Sequence, residues 1–246
     1  MPISPNQGSS GGGTLVTITG VNLAGATAVH FGTRLATITA NTPTSVSVVS
    51  PSGSGAVGVT VTTAGGTSNP LPFYYIGAPF KQSLSPTGGP SAGGQTVTIK
   101  GTGLYTATSV AFGANTAVPT VVSDGEITVV APAGTAGSVS VSVTTAGGTN
   151  NGFSYTYFDA PTLTTVTPAQ GPASGGTSVT LIGTALTSTS AVTFDGNPVA
   201  FTVINGNVVS VIAPPGTVGA VDVAVTTDGG TATAMGAYTY LAGPGI

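Results

Sequence analysis

Three stretches decide the fold, because they repeat one another: Pro5–Gly20 (PNQGSSGGGTLVTITG), Pro86–Gly101 (PTGGPSAGGQTVTIKG) and Pro168–Gly183 (PAQGPASGGTSVTLIG). Each begins with a proline, passes a pair of glycines and ends in a run where Val, Ile or Leu alternates with Thr or Ser. Alternation with a period of two is typical of a strand that buries one face. The chain is therefore built from three repeats of about 82 residues.

The rest of each repeat follows one order of landmarks. A V-x-F motif is followed by a proline, a second alternating run, a Gly-Gly turn and two closing aromatic residues. Glycine pairs supply the positive φ that tight hairpins need, so six or seven short strands per repeat predict a small β-sandwich. The landmarks are Val29–Phe31, Val110–Phe112 and Val192–Phe194, then Pro51, Pro132 and Pro214, then Gly65–Gly66, Gly147–Gly148 and Gly229–Gly230, and finally Phe73/Tyr75, Tyr155/Tyr157 and Tyr238/Tyr240.

Composition excludes several classes of protein. Gly and Pro are abundant, at 39 and 18 residues, but a hydrophobic content of 40% is too high for a disordered chain. Only three cations stand against six carboxylates, so the basic surface that binds nucleic acid is missing. The chain has no cysteine and no apolar run of about 18 residues, so we expect neither disulfides nor insertion into a membrane.

The order of landmarks resembles the IPT/TIG family of immunoglobulin-like modules. The shared pattern is V-T-I-x-G, then V-x-F-G, a proline, V-x-V-x-T-x-G-G and a closing aromatic residue. The first two repeats follow it, and the third departs from it only in having Leu181 for the isoleucine and Asp195 before Gly196. The resemblance implies an all-β chain of three tandem immunoglobulin-like sandwich domains, 1–77, 78–159 and 160–246, the first with a shortened first strand. Family members that bind DNA use basic loops, which this sequence lacks, whereas members on cell surfaces serve as spacers, adhesion modules or interaction surfaces.

Groups capable of catalysis are few and scattered. The single histidine, His30, has Ala111 and Thr193 as its equivalents, so we interpret it as a solvent-facing strand residue rather than a base or ligand. The carboxylates fall at non-equivalent places, and neither 124–126 nor 195–197 has the ligand spacing of a calcium loop. We therefore predict no catalytic residue, no cofactor and no metal site, and we predict that the chain is not an enzyme.

Four other residues have a predicted surface role. Lys100 replaces Thr19 and Ile182 on the strand face opposite the apolar residues, where an exposed charge protects a sheet surface. Phe80 and Phe158 lie beside the linkers between repeats, which favours packing between domains. Tyr105, Phe80 and Phe158 are all candidates for a sugar platform or for a contact between domains.

The two ends of the sequence match each other within the repeat. Met1 aligns with Gln82 and Thr164, and the last three residues align with Pro161–Leu163, so the chain ends one position before the place where it begins. Either the match is a coincidence of where the sequence is divided, or the tail of one subunit completes the first strand of the next by strand addition. A contact between different surfaces is heterologous and generates open filaments. The predicted subunit interface is Met1, Pro2, Ile3, Gly243, Pro244, Gly245 and Ile246.

The leading functional hypothesis is a structural subunit of an extracellular fibre, with other copies of itself as partners. The alternative is an adhesion module that recognises a glycan or a protein through loops at one end of the sandwiches. The N-terminal residues contain no secretory signal. We expect an extracellular or cell-surface protein. Either its secretory signal has been removed from the sequence, or the protein is exported by another route, as a part of a virion or an injection machine would be.

Overall fold

The computed structural model describes residues 1–244, and every regular element within that span is a β-strand. Gly245 and Ile246, which the sequence assigns to the subunit interface, lie outside the described residues. No helix long and apolar enough to cross a membrane occurs among residues 1–244.

The strands fall into three successive sets, which we name modules 1, 2 and 3. Module 1 contains β1 (Ile3–Ser4), β2 (Gln7–Ser9), β3 (Leu15–Thr19), β4 (Ala28–Phe31), β5 (Arg34–Leu35), β6 (Thr37–Asn41), β7 (Ser45–Val49), β8 (Gly55–Thr63), β9 (Gly66–Thr67) and β10 (Leu71–Ile76). Module 2 contains β11 (Phe80–Ser85), β12 (Gly88–Pro90), β13 (Thr96–Thr102), β14 (Ser109–Phe112), β15 (Asn115–Ala117), β16 (Thr120–Ser123), β17 (Glu126–Val130), β18 (Gly137–Thr145) and β19 (Gly148–Phe158). Module 3 contains β20 (Thr162–Thr167), β21 (Gln170–Pro172), β22 (Ser178–Thr184), β23 (Ala191–Phe194), β24 (Asn197–Val199), β25 (Phe201–Asn205), β26 (Val208–Ile212), β27 (Gly219–Thr227) and β28 (Gly230–Leu241).

Each module is a pair of sheets with the same strand order. In module 1 the sheets run β1-β3-β7-β6 and β2-β10-β8-β4-β5, with β9 beside β8. Module 2 has β11-β13-β17-β16 and β12-β19-β18-β14-β15, and module 3 has β20-β22-β26-β25 and β21-β28-β27-β23-β24. Three sheet pairs in sandwich arrangement confirm the prediction of an all-β, immunoglobulin-like chain.

The chain divides into two compact units. The first holds Met1–Ser85, Val97–Val129 and Ser140–Phe153, and the second holds Pro86–Thr96, Val130–Val139 and everything from Ser154 onward. Module 1 thus lies wholly in the first unit and module 3 in the second. The domain boundaries expected from the sequence stay predictions.

The cores consist of the residues that alternate inward. In module 1, Val16 and Ile18 of β3 are fully buried, and Val179 and Leu181 are their buried equivalents in module 3. The V-x-F phenylalanines pack edge-on against the closing aromatic residues, with Phe31 and Phe73 rings 4.9 Å apart and Phe194 and Tyr238 rings 5.2 Å apart. The burial pattern follows the period of two that the sequence predicts.

The first strands of the modules differ in length. β1 has two residues, whereas β11 and β20 each have six. Ile3 pairs with Ile18 and is half-buried, while its equivalents Leu84 and Val166 are buried. Gly20 and Val21, which follow β3, therefore lack the first-strand partners that their equivalents have in the other modules.

Candidate functional site

The three Gly-Gly hairpins have the same backbone. The second glycine has a positive φ in each, 121° at Gly66, 120° at Gly148 and 122° at Gly230. This conformation is open to glycine and strained for other residues. The first glycine of each pair does not have a positive φ, so its lack of a side chain has another cause.

That cause is visible where module 1 meets module 2, inside the first compact unit. A Cβ built on Gly147 would overlap the carbonyl oxygen of Gly77, because the linker backbone lies directly on the hairpin. The Ser9 hydroxyl donates a hydrogen bond to the Gly147 carbonyl over 2.9 Å. Asn150, in the strand after the hairpin, donates its side-chain amide to the carbonyl of Pro79. We call this contact joint A.

Lys81 adds a charged group beside joint A. Its ammonium donates to the carbonyl of Val141 over 2.8 Å and lies 4.9 Å from the centre of the Phe153 ring. Burial lowers the pKa of Lys81 from its ordinary value. The side chain thus holds the start of β11 against β18.

Joint B, between modules 2 and 3, repeats the arrangement inside the second compact unit. A Cβ on Gly229 would overlap the carbonyl oxygen of Asp159, and the amide nitrogen of Ala160 is 3.3 Å from the same position. A cavity of about 260 Å³ lies nearby, with Phe158 and Asp228 among its lining residues. At both joints the linker backbone fills the space that a hairpin side chain would need.

The hairpin of module 1 is open at the equivalent place. Among the described residues, the only heavy atom within 4 Å of a Cβ on Gly65, its chain neighbours aside, is the Thr63 hydroxyl oxygen at 3.6 Å. A cavity of about 260 Å³ lies beside Gly65, and Met1 and Val21 help to line it. Module 1 therefore carries the hairpin side of a joint without a linker on it.

Each module also pins a tyrosine against a loop at the other end of its sandwich. The hydroxyl groups of Tyr75 and Tyr240 donate to the carbonyls of Pro51 and Pro214 over 2.8 Å and 2.7 Å, and Tyr157 makes the same bond in module 2. Two residues after each proline stands a glycine on which a Cβ would overlap the tyrosine ring. These glycines are Gly53, Gly134 and Gly216.

Clefts lie beside two of the pinned tyrosines and differ in their charged groups. In module 1 the cleft measures about 580 Å³, and Arg34 lines it with its guanidinium donating to the Ser52 hydroxyl over 2.6 Å. In module 3 the cleft measures about 420 Å³, and Asp195 and Asn197 occupy the equivalent loop. One scaffold thus presents a cation in one module and a carboxylate in another.

Comparison with known proteins gives the family. The model of the IPT/TIG domain matches residues 1–75, 79–157 and 161–240, which is nearly the whole chain. The chain belongs to the IPT/TIG family. This confirms the resemblance drawn from the repeated landmarks.

Among sequence relatives, plexin-A3 of Rattus norvegicus is 30% identical over 213 residues, which is 75% of this chain. The chain spans 11% of the length of that relative. Among solved structures, the full extracellular region of plexin A4 is 20% identical, with a TM-score of 0.49 over 93% of this chain and 22% of that chain. A surface protein from a xyloglucan utilization locus in Bacteroides uniformis is 24% identical over 66% of this chain and 49% of that chain, with a TM-score of 0.33.

The described part of the predicted subunit interface of this IPT/TIG chain is spread over both compact units. Pro2 accepts a hydrogen bond from Thr19 over 3.0 Å at the edge of the first sheet of module 1, and Met1 and Ile3 belong to the same unit. Gly243 and Pro244 belong to the second unit and are exposed. Self-association through these residues stays a prediction.

The charged groups of the chain mainly serve its turns and surface. Asp124 accepts hydrogen bonds from the backbone of Gly103 and Tyr105, and Lys100 lies 3.6 Å from Glu126 in an exposed ion pair. Among residues 1–244 no three His, Cys, Asp or Glu side chains cluster as a metal site would need. IPT/TIG modules are non-catalytic immunoglobulin-like folds.

Sequence reasoning missed the role of the first hairpin glycine. It interpreted the Gly-Gly pairs as turns alone, and it proposed Phe80 and Phe158 for packing between domains. Phe80 is 62% exposed, whereas Phe158 is half-buried and lines the cavity at joint B. The backbones of Gly77 and Asp159 are the groups that lie on the hairpin glycines. A signal was present, because a tight turn of this kind needs one glycine and each hairpin of this IPT/TIG chain has two.

Proposed function

We propose that the chain is a non-catalytic structural subunit that works outside the cell, where copies join end to end into a fibre. The observation that carries the proposal is the recurrence of one steric arrangement at joints A and B. A contact that works twice within the chain is suited to work again between chains. Because the two surfaces of such a contact differ, repetition produces an open filament.

The surface chemistry supports the same proposal. Charged residues make up 4% of the chain and the net charge is −3, so like-charge repulsion between copies is weak. The backbone carbonyls and glycines that form the joints carry no charge, so salt should affect assembly little.

Sedimentation velocity and negative-stain microscopy over rising protein concentration test this proposal. We expect species larger than the monomer and then filaments. Deletion of residues 243–246 should weaken assembly, although it leaves every strand of module 3 intact because β28 ends at Leu241. A full-length chain that stays monomeric at high concentration contradicts the fibre.

The two clefts favour a second candidate function, the recognition of a glycan or a protein through loops at one end of a sandwich. Arg34 suits a carboxylate or sulfate group, whereas Asp195 and Asn197 suit sugar hydroxyls. A panel of acidic and neutral glycans distinguishes the clefts. We expect Arg34→Ala to abolish the binding of acidic glycans without changing that of neutral glycans. We expect Asn197→Ala to weaken the binding of neutral glycans without changing that of acidic glycans. Binding that survives both substitutions excludes the clefts as its site.

A further inference from the structure

We infer that the open hairpin of module 1 is a docking site for residues 241–244 of a second copy of this chain. The inference rests on the proposed function and names the two surfaces through which copies join. It follows from comparing the occupied hairpins of joints A and B with the open one.

The donor surface is the segment that closes each module. Ile76, Phe158 and Leu241 accept equivalent hydrogen bonds from the loop after the second strand, with donors Ser10, Ser91 and Ala173 at 2.8 Å, 2.8 Å and 2.9 Å. All three segments therefore leave their modules from the same anchored position. The carbonyls that follow at Gly77 and Asp159 are the ones that lie on hairpin glycines, and Ala242 is their equivalent.

Ala242 and its neighbours are available for the same contact. Residues 242–244 are exposed, and nothing lies within 4 Å of a Cβ built on Gly243. The segment thus presents its backbone as Gly77 and Asp159 do, but it lies on no hairpin among the described residues.

The acceptor surface in module 1 has the backbone of that in module 2, with Asn22 and Ser68 in the places of Gly103 and Asn150. In module 2 the linker also touches the turn after β13, where a Cβ on Gly103 would be 3.6 Å from the Cα of Pro79. The equivalent turn residue in module 1 is Asn22, which shares a left-handed backbone, with φ of 58° against 71°. Asn22 lines the cavity beside Gly65. The site therefore has both walls of an occupied joint, and the cavity lies where the linker would run.

The neighbouring surface is suited to an uncharged segment. Val21 is 75% exposed in module 1, while its equivalents Thr102 and Thr184 pair with Phe80 and Thr162 of the first strands. No Asp, Glu, Lys or Arg lines the cavity. Residues 241–246 likewise have no charged side chain, so we expect shape and apolar contact to contribute most of the fit between side chains.

Gly65→Ala is the variant that isolates the docking site. The backbone at Gly65 does not have a positive φ and the space around it is open, so an added methyl group leaves module 1 unstrained. A docked carbonyl would collide with that methyl group, as it would at Gly147 or Gly229. Gly125→Ala is the matched control, because Gly125 is also free of positive φ and its nearest neighbour is 3.6 Å away, in a turn outside the site.

A peptide titration tests the site itself. A synthetic peptide of residues 239–246 is added to the isotope-labelled full chain at low concentration and followed by amide NMR. We expect shifts at Val21, Asn22 and Gly65–Thr67. Affinity should fall by at least about tenfold in Gly65→Ala, a free-energy change of about 1.4 kcal/mol, and stay unchanged in Gly125→Ala. No shift at millimolar peptide, or equal binding by Gly65→Ala, overturns the site.

Sedimentation of the same three proteins separates the site from the proposed function. If the full chain assembles and Gly65→Ala does not, both are supported. If both assemble equally, the fibre stands and the docking site is wrong. If the peptide binds at Gly65 while the full chain stays monomeric, the site accepts the closing segment of a preceding module in one polypeptide, which overturns the second copy as its occupant.

Discussion

The hairpins of modules 1 and 3 have one backbone but different surroundings. Gly66 and Gly230 share a φ near 121°, and the threonine pair that braces each hairpin spans 3.0 Å in module 1 and 2.9 Å in module 3. Gly229 nevertheless lies under the linker carbonyl of Asp159, whereas Gly65 is open. The two glycines of the pair thus have separate tasks, since the second makes the turn and the first admits a neighbouring backbone.

The largest expected effect tests whether the two modules are equivalent inside. Gly53→Ala and Gly216→Ala each push a Cβ into the ring of a pinned tyrosine, Tyr75 or Tyr240. Overpacking of this kind costs about 3 kcal/mol of unfolding free energy, at the upper end of the usual range. The measurement is amide hydrogen exchange, followed separately in each module. If one substitution destabilises its own module and the other leaves its own module unchanged, the interiors of modules 1 and 3 are not equivalent.

A smaller effect tests the difference at the hairpins. Gly229→Ala should weaken joint B by about 2 kcal/mol, because either the linker or the hairpin must move. Gly65→Ala should change stability by less than about 0.5 kcal/mol. Limited proteolysis of the linker at 158–161 and hydrogen exchange at the hairpin report the loss. Equal effects from the two substitutions would mean that the linker contact is not what requires glycine.

Much of the fold could be predicted from the sequence because its signals are local. Alternation over five residues is enough to assign Val16 and Ile18 to a core, and both are fully buried. The same alternation before the hairpin predicts that Val57, Val59 and Val61 are buried, but Val57, which lies near the start of β8 and lines the cleft of module 1, is only half-buried. Burial at strand ends depends on loops, which the alternation does not describe.

The joints could not be predicted in the same way. Gly77 and Gly147 are distant in sequence, and their contact joins two backbones. Neither residue has a side chain whose polarity or size would indicate a partner. Lys100 illustrates the same limit, since its ion pair with Glu126 depends on strand pairing that no local motif specifies.

Substitutions of tyrosine by phenylalanine, which remove only the hydroxyl group, compare the cores of modules 1 and 3 more closely. Tyr240→Phe removes a hydrogen bond to Pro214 and leaves that carbonyl without its donor, so it should cost about 1 kcal/mol, as should Tyr75→Phe. The buried hydroxyl of Tyr238 has no hydrogen-bond partner among residues 1–244, and module 1 has Phe73 in its place. Tyr238→Phe should therefore change stability little or increase it. Urea unfolding measures all three, and a large loss from Tyr238→Phe would reveal a hydrogen bond to that hydroxyl.

The smallest expected effect is a difference in alkaline stability between modules 1 and 3. Burial raises the pKa of both Tyr75 and Tyr240 above the ordinary value of 10.0. In module 1 the charge of Arg34 opposes that rise, whereas in module 3 Tyr238 and Asp195 add to it. Between pH 10 and the raised pKa, the tyrosine hydroxyl is deprotonated in the unfolded chain but stays protonated in the folded chain. Each residue therefore contributes stability that is complete below pH 10 and is lost as the pH rises through the folded pKa.

The charged groups of the two clefts should accordingly change this loss of stability in opposite directions between about pH 10 and 11. Asp195→Asn removes one cause of the raised pKa of Tyr240 and should make module 3 less sensitive to alkali. Arg34→Gln removes the opposing charge at Tyr75 and should make module 1 more sensitive. Both changes should be small, because the two charged groups contribute less to the pKa values than burial does. Urea unfolding at pH 8 and pH 11, with tyrosinate absorbance as a second signal, measures them. Opposite signs for the two variants are the required outcome, and the same sign for both would show that charges in the clefts do not reach the tyrosines.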